Sequence, residues 1–356
     1  KGIFKFNNRF KKFTSHSLHD KNSDENSNDN IIRDIFQVDS SHVWLGMLNE
    51  GILIYNLNNQ QVKHLKNIPG DSKSLSDNRV NSIFKDSKSN IWVGTWDGGL
   101  NLRKASTWNQ GFEWFYHNPA DTLSIASDII KEIAEDPWNR IWLGTENGLD
   151  LFDPVRKTAI HFMHQSNNEN SLVENSIQSG CIVFDRNNNM WVGTWGGLSK
   201  IVFSKESRLP ETFINYYQND TLALSLSESR IISLHLSSDT VLYAGTFGGG
   251  FNKITLSGQS EIVSIRHYAE KDGLANNVVY AILEDESGNL WFSTNNGLSK
   301  FNPQTEKFEN YDENDGLKSN QFYWGAACRL RSGELAFGNI NGLNTFYANE
   351  ITDDKI

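Results

Sequence analysis

Two cysteines in 356 residues, Cys181 and Cys328, are too few to staple a scaffold. Basic residues are in deficit: 33 Lys and Arg stand against 43 Asp and Glu, a formal net charge of -10. The acidic residues are spread through turn-like segments, and nucleic acid or an anionic membrane would reward dense Lys and Arg instead. No apolar run approaches the roughly 18 residues that a membrane span needs. A charged, apolar, small-residue leader is missing at Lys1, and the opening text reads as mid-pattern, so a piece excised from a longer protein is expected. No helix-period segment of any length is present, which excludes a solenoid of helices. Gly248-Gly249-Gly250 lacks a following helix and a Lys-Ser or Lys-Thr pair, so no phosphate cradle is expected, and neither a serine elbow nor a Cys/His arrangement occurs. No cofactor is called for.

What the sequence has is a repeat. Ile91-Trp92-Val93-Gly94-Thr95 has close copies at Val43-Trp44-Leu45-Gly46-Met47, Ile141-Trp142-Leu143-Gly144-Thr145, Met190-Trp191-Val192-Gly193-Thr194, Leu242-Tyr243-Ala244-Gly245-Thr246, Leu290-Trp291-Phe292-Ser293-Thr294 and Leu335-Ala336-Phe337-Gly338-Asn339. In the register Trp44, Trp92, Trp142, Trp191, Tyr243, Trp291, Ala336 the steps are 48, 50, 49, 52, 48 and 45 residues. A period of about 40 to 50 residues marks a radial or stacked repeat architecture. One unit, 79–117, reads as four short strands, 79–86, 91–95, 100–104 and 112–117, joined by turn text. Four antiparallel strands per unit make a propeller blade, so the expected fold is an all-β, seven-bladed β-propeller. Within the second strand Trp92 and Gly94 share one face, letting the ring lie against the next blade while the glycine admits a close neighbour.

Gly2 to Phe6 followed by Phe10 to Phe13 matches the third and fourth strands of a unit, whereas the end, Gly342 to Phe346, is a third strand without a fourth. Residues near Phe10 to Phe13 are therefore expected to close the ring as the outer strand of the last blade, which removes an exposed edge. The rival is that 1–13 is the tail of an upstream propeller. The propeller proper is placed at 14–348, with 349–356 as a linker towards a following domain. His19 to Asn30, rich in Asn, Asp and Ser, is expected to be the most flexible loop. The recurring loops before each innermost strand, such as 69–76 and 119–124, are expected to be structured turns with polar side chains capping the backbone. Cys181 and Cys328, in the first strands of the fourth and seventh units, are expected as buried small residues too far apart to bond.

Asp39, Asp86, Asp136, Asp185 and Asp285 recur just before the second strand, which assigns them to turn capping and not to catalysis. A glycosidase needs one special carboxylate pair in one place, and none stands out. His161 and His164 fall on opposite faces of a strand, so no metal site is expected; nor is any catalytic residue. One face of the ring collects the turns after the second strands and the starts of the innermost strands. On it fall Trp96, Asp97, Trp195 and Phe247 with Arg79, Arg230 and Trp324, our candidate ligand-binding residues. Exposed rings offer a platform for sugar C–H groups, with Asp and Arg nearby to take hydroxyls. The alternative is that these rings pack on the adjacent loops.

The text of 74–103 and 272–303, with Asp315 to Phe322 and Phe337 to Leu343, resembles two-component regulator propeller repeats across all seven units. The resemblance implies a non-catalytic sensor propeller in the periplasmic part of an inner-membrane hybrid two-component receptor, whose parent chain would be a histidine kinase. It implies an upstream propeller and a downstream β-sandwich as neighbours, and a homodimer. It implies an oligosaccharide ligand derived from a glycan, as in sensors of glycan-degrading gut bacteria that control polysaccharide-utilisation genes. A propeller enzyme acting on glycans, lyase or hydrolase, and a spacer propeller with no ligand are the alternatives. Tyr243 and Ala336 depart from the repeat Trp, and Met47 and Asn339 from its Thr.

Overall fold

The structure, a computed structural model, describes residues 12–18 and 30–351. They form seven four-stranded antiparallel sheets arranged as blades. The innermost strands are Ile32–Gln37, Val80–Lys85, Ile130–Glu135, Ile177–Phe184, Ile231–Ser238, Val279–Glu284 and Phe322–Arg329, numbered here as blades 1 to 7. Each pairs with the strand carrying the repeat motif, among them Ile91–Thr95 and Ile141–Thr145, and the motif strand then pairs with a third. No helix among the described residues is long and apolar enough to cross a membrane.

The motif is conserved from blade to blade because each of its positions makes a contact that every blade needs. Trp92, Trp142, Trp191 and Trp291 are at most 1% exposed. Their rings lie against the following blade, Trp92 edge-on to Phe152 at 6.2 Å and Trp291 to Phe346 at 4.7 Å. Burying a side chain of this size contributes about 2–3 kcal/mol, so the rings are a principal adhesive between blades. Gly94 sits where the next blade begins: a Cβ there would lie 2.8 Å from Ile130 Cγ2, and Gly46, Gly144, Gly193, Gly245 and Gly338 meet the corresponding Val or Ile in the same way. The threonine closes the turn after the motif strand. Thr95 Oγ1 donates to the Gly99 carbonyl at 2.8 Å and accepts from the Gly98 amide, and Thr145, Thr194, Thr246 and Thr294 do the same in their blades.

The ring closes through both ends of the described chain. Thr14–His16 pairs antiparallel with Gly342–Phe346 as the outer strand of blade 7. The closing strand is thus Thr14–His16, just after the Phe10 to Phe13 segment expected from sequence. Phe13 is buried instead as an anchor, edge-on to Phe346 at 4.8 Å and to Tyr311 at 5.5 Å. The strand is polar and lies at a sheet edge, so no apolar alternation marks it. The Gly2 to Phe6 match, most of the His19 to Asn30 loop and residues 352–356 lie outside the described residues. Both cysteines are free; Cys181 is buried, but Cys328, expected to be so, is only half-buried.

The recurring loops are structured as expected. Ser74, Ser124, Ser171 and Ser225 each accept from a backbone amide six residues upstream. A polar residue of the third strand, such as Asn101, Asp150 or Ser199, then takes the amide that follows.

Candidate functional site

The residue after each turn-closing threonine stands on one face of the ring, around a mouth at its axis. These residues are Trp96, Glu146, Trp195, Phe247 and Asn295, and the threonine pins the turn that presents them. Innermost strands supply the rest of the mouth through irregular backbone. Blades 4 and 7 carry the largest register shifts, between Ile177 and Ile182 and between Phe322 and Ala327. Gly180 and Gly325 sit in those bulges at φ 67° and 66°, the left-handed region that glycine enters without strain. A Cβ on Gly325 would lie 3.2 Å from Ser179 Cβ, so the two bulges meet across the ring axis.

The blade 7 bulge carries Trp324 over to blades 4 and 5. Trp195 lies edge-on to Phe247 at 5.5 Å and to Trp324 at 5.7 Å, and Phe247 stacks with Trp324 at 5.7 Å and 11°. Tyr280 tilts onto Trp324 at 5.7 Å and donates from its hydroxyl to Asn295. The Arg230 guanidinium lies over the Phe247 ring at 5.2 Å and is held by Glu228 at 2.9 Å. Trp195, Phe247 and Trp324 are all partly exposed: the rings pack on one another and on the core beneath, Phe247 also bridging Val278 at the start of the next blade, and still present surface.

A second group belongs to blades 1, 2 and 7. Arg79 bridges Asp77 at 2.6 Å and Asp97 at 2.7 Å, and these two carboxylates hold its pKa well above the ordinary arginine value. Asp97 keeps 55% of its side chain exposed. Arg33 lies over Trp96 at 4.7 Å and over Tyr323 at 5.8 Å. Burial lowers the Arg33 pKa, yet an arginine stays charged under any ordinary condition. Tyr323 is the chain neighbour of Trp324, so the two groups adjoin. The structure therefore gathers the seven sequence-derived residues into two clusters, Trp195, Phe247, Trp324, Arg230 and Trp96, Asp97, Arg79. It adds Arg33, Tyr280 and Tyr323, and between the clusters Lys131 pairs with Glu146, with Ser176 accepting from Lys131 at 2.9 Å. A buried lysine inside a strand has no sequence signal that separates it from a surface one.

The recurring aspartates are turn caps. Asp86 Oδ1 accepts from the amides of Lys88 and Asn90, and Asp136, Asp185 and Asp285 repeat the pattern. His161 donates towards Asp150 at 2.6 Å while His164 contacts the Leu172 carbonyl, so the two imidazoles serve separate partners.

The model of the two-component regulator propeller matches residues 74–97, 171–196 and 273–296, each spanning the loop, innermost strand and motif strand of one blade. Three of the blades thus match the two-component regulator propeller repeat. The propeller is 27% identical over 183 residues to histidine kinase P4 of Formosa agariphila, an alignment covering 51% of this chain and 13% of the kinase. In fold it is similar to the extracellular domain of a putative hybrid two-component system from B. thetaiotaomicron, with TM-score 0.73 and 24% identity over 95% of this chain and 41% of that one. Virginiamycin B lyase from Staphylococcus aureus shares the architecture at TM-score 0.63 and 14% identity, covering 90% of this chain and 95% of the lyase. Likenesses at this identity speak for the fold alone. The chain spans 13% of the length of the kinase and 41% of that of the receptor domain it resembles.

Proposed function

We propose that this propeller is a non-catalytic ligand sensor in the periplasmic part of a hybrid two-component receptor, taking a glycan-derived oligosaccharide at the aromatic mouth and thereby controlling polysaccharide-utilisation genes. The observation that carries this reading is the cluster Trp195, Phe247 and Trp324, three partly exposed rings brought together from blades 4, 5 and 7. Rings of this kind offer flat apolar surface to pyranose C–H groups. Beside them the pairs Arg230–Glu228 and Arg79–Asp97 present fixed donors and acceptors suited to vicinal hydroxyls. Arg79 and Asp97 are already bonded to each other, so a sugar would join an ordered network and little side-chain freedom would be lost on binding.

Kinship to a histidine kinase over half of the chain supports the signalling context. In that context the oligosaccharide would act by favouring one arrangement of a dimeric receptor, with an upstream propeller and a downstream β-sandwich as neighbours. The test is binding of oligosaccharides by the purified chain, with product analysis on the same mixtures. Saturable binding without product supports a sensor; new reducing ends or unsaturated products would mark a glycan hydrolase or lyase; no binding would leave a spacer.

A further inference from the structure

On the face opposite the aromatic mouth, a cleft of about 1020 Å³ opens between blades 2 and 3. Its origin is local. In blade 2 the third and fourth strands, Leu100–Arg103 and Glu113–Phe115, are joined through a 3-10 segment, Ala105–Gln110, and the fourth strand is only 3 residues long. It pairs no further than Leu102, so the outer flank of blade 3 is left uncovered. The floor is apolar, made by Leu102, Ile141, Phe152 and Ala159. Leu123, Val155 and Ile160 stand at the lip with 54, 89 and 49% of their surface exposed, among the most exposed large apolar residues of the described chain.

The charge of the cleft runs against that of the protein. In a chain of net charge -10, five cationic side chains line it, Lys88, Lys104, Arg140, Arg156 and Lys157. Its four carboxylates are already engaged. Asp86 holds its turn and Trp92, Glu135 accepts twice from Ser87, Asp153 caps its own turn, and Glu113 lies between Lys104 at 2.8 Å and Lys157 at 2.7 Å. Two cations keep capacity: Lys88 makes no ion pair among the described residues, and Arg156 is 81% exposed and 3.8 Å from Asp153, whereas Arg140 is paired with Asp136 at 2.7 Å.

We infer that this cleft is a second binding site, for a small organic anion with an apolar body. The volume is at the upper end of the range for small-molecule sites, about 300–1,000 Å³. An apolar skeleton would cover the exposed leucine, isoleucine and valine, while a carboxylate or sulfonate would meet Lys88 and Arg156 in charge-assisted hydrogen bonds. The site lies on the opposite face from the mouth and does not depend on what the mouth binds.

The experiment uses 8-anilinonaphthalene-1-sulfonate, an aromatic sulfonate, followed by fluorescence on the intact chain well below its unfolding temperature. Saturation at one probe per chain, with displacement by decanoate, is expected. Ser106→Trp, at an exposed position facing the cleft, should obstruct the site, and Lys88→Glu should weaken binding by about tenfold, the equivalent of one charge-assisted contact. Both positions are exposed, and an unchanged melting temperature would establish that the variants fold. Absence of saturable binding overturns the inference. So does binding that Ser106→Trp and Lys88→Glu leave at the wild-type level, because the probe would then sit elsewhere.

Discussion

The indole Nε1–H of Trp92 donates to Oδ2 of Asp86 at 2.9 Å, across the turn that the other carboxylate oxygen caps. Trp142, Trp191 and Trp291 make the same bond to Asp136, Asp185 and Asp285 at 2.8 to 3.0 Å. One carboxylate thus holds both the turn and the ring that bonds to the next blade. The departures from the repeat fit this coupling. Tyr243 has Ser237 six residues upstream where the aspartate would be, and Asp39 precedes Trp44 by five residues, capping its turn and bonding the His42 imidazole in place of an indole.

Removing that carboxylate should therefore cost more where the indole depends on it. Asp86→Ala leaves a buried indole N–H and turn amides without acceptors and is expected to destabilise by about 2–4 kcal/mol. Asp39→Ala, with no indole to orphan, should cost only about 1 kcal/mol. Denaturant unfolding of the two variants against wild type measures the difference; equal losses would contradict the coupled role.

Glycine in the motif is predicted to be intolerant of even one methyl group. At Gly94 a Cβ would press on Ile130 of the next blade, with its carbonyl oxygen at 3.0 Å. Gly94→Ala should lower stability by about 1–3 kcal/mol through overpacking. Ser293, the one side chain that replaces this glycine in the ring, is buried at the equivalent place in blade 6 with its hydroxyl unbonded, so that blade already carries a larger group. Ser293→Gly should accordingly be tolerated far better than Gly94→Ala, which thermal melts will compare.

Two half-buried carboxyls set a pH dependence. Burial raises the Asp34 pKa to about 7 and that of Glu132 to about 8, against acceptance from the Ile83 and Gly180 amides. A carboxyl raised on folding favours the folded state while protonated, so its contribution is fully present near pH 4 and is lost as pH rises through 7 to 8. Glu132→Gln keeps an acceptor for Gly180 and cannot ionise. It should raise the melting temperature at pH 9, where ionised Glu132 costs on the order of 1–3 kcal/mol, and change it little at pH 4. A gain independent of pH would show that charge is not the cause.

Seven blades were legible because each must rebuild one turn and one contact with its neighbour, and that needs Asp, Trp, Gly and Thr at fixed spacing. The closing strand was located within a few residues, by analogy with the unit, since Thr14–His16 carries no pattern of its own. Trp96, Trp195 and Phe247 were placed on a common face by their position after the threonine. Their division into two clusters was not legible, because it depends on the bulges at Gly180 and Gly325, which carry Trp324 across the axis. An isolated glycine in an innermost strand is the signal that could have located those bulges. Nor could the cleft be read: it arises from one fourth strand being short, and 104–112 reads in sequence as an ordinary connection.

The most direct test of the account is isothermal titration of the purified chain with a panel of plant, host and microbial oligosaccharides, repeated on the active sugar with Trp195→Ala and Trp324→Ala. Partial exposure of both rings makes folded variants expected, to be checked by their melting temperatures. The account predicts saturable binding of one sugar class by wild type, weakened by about 1–3 kcal/mol in each variant, as loss of a large aromatic contact implies. Binding at wild-type affinity in both folded variants, or no binding by any sugar, would contradict an oligosaccharide site at the aromatic mouth.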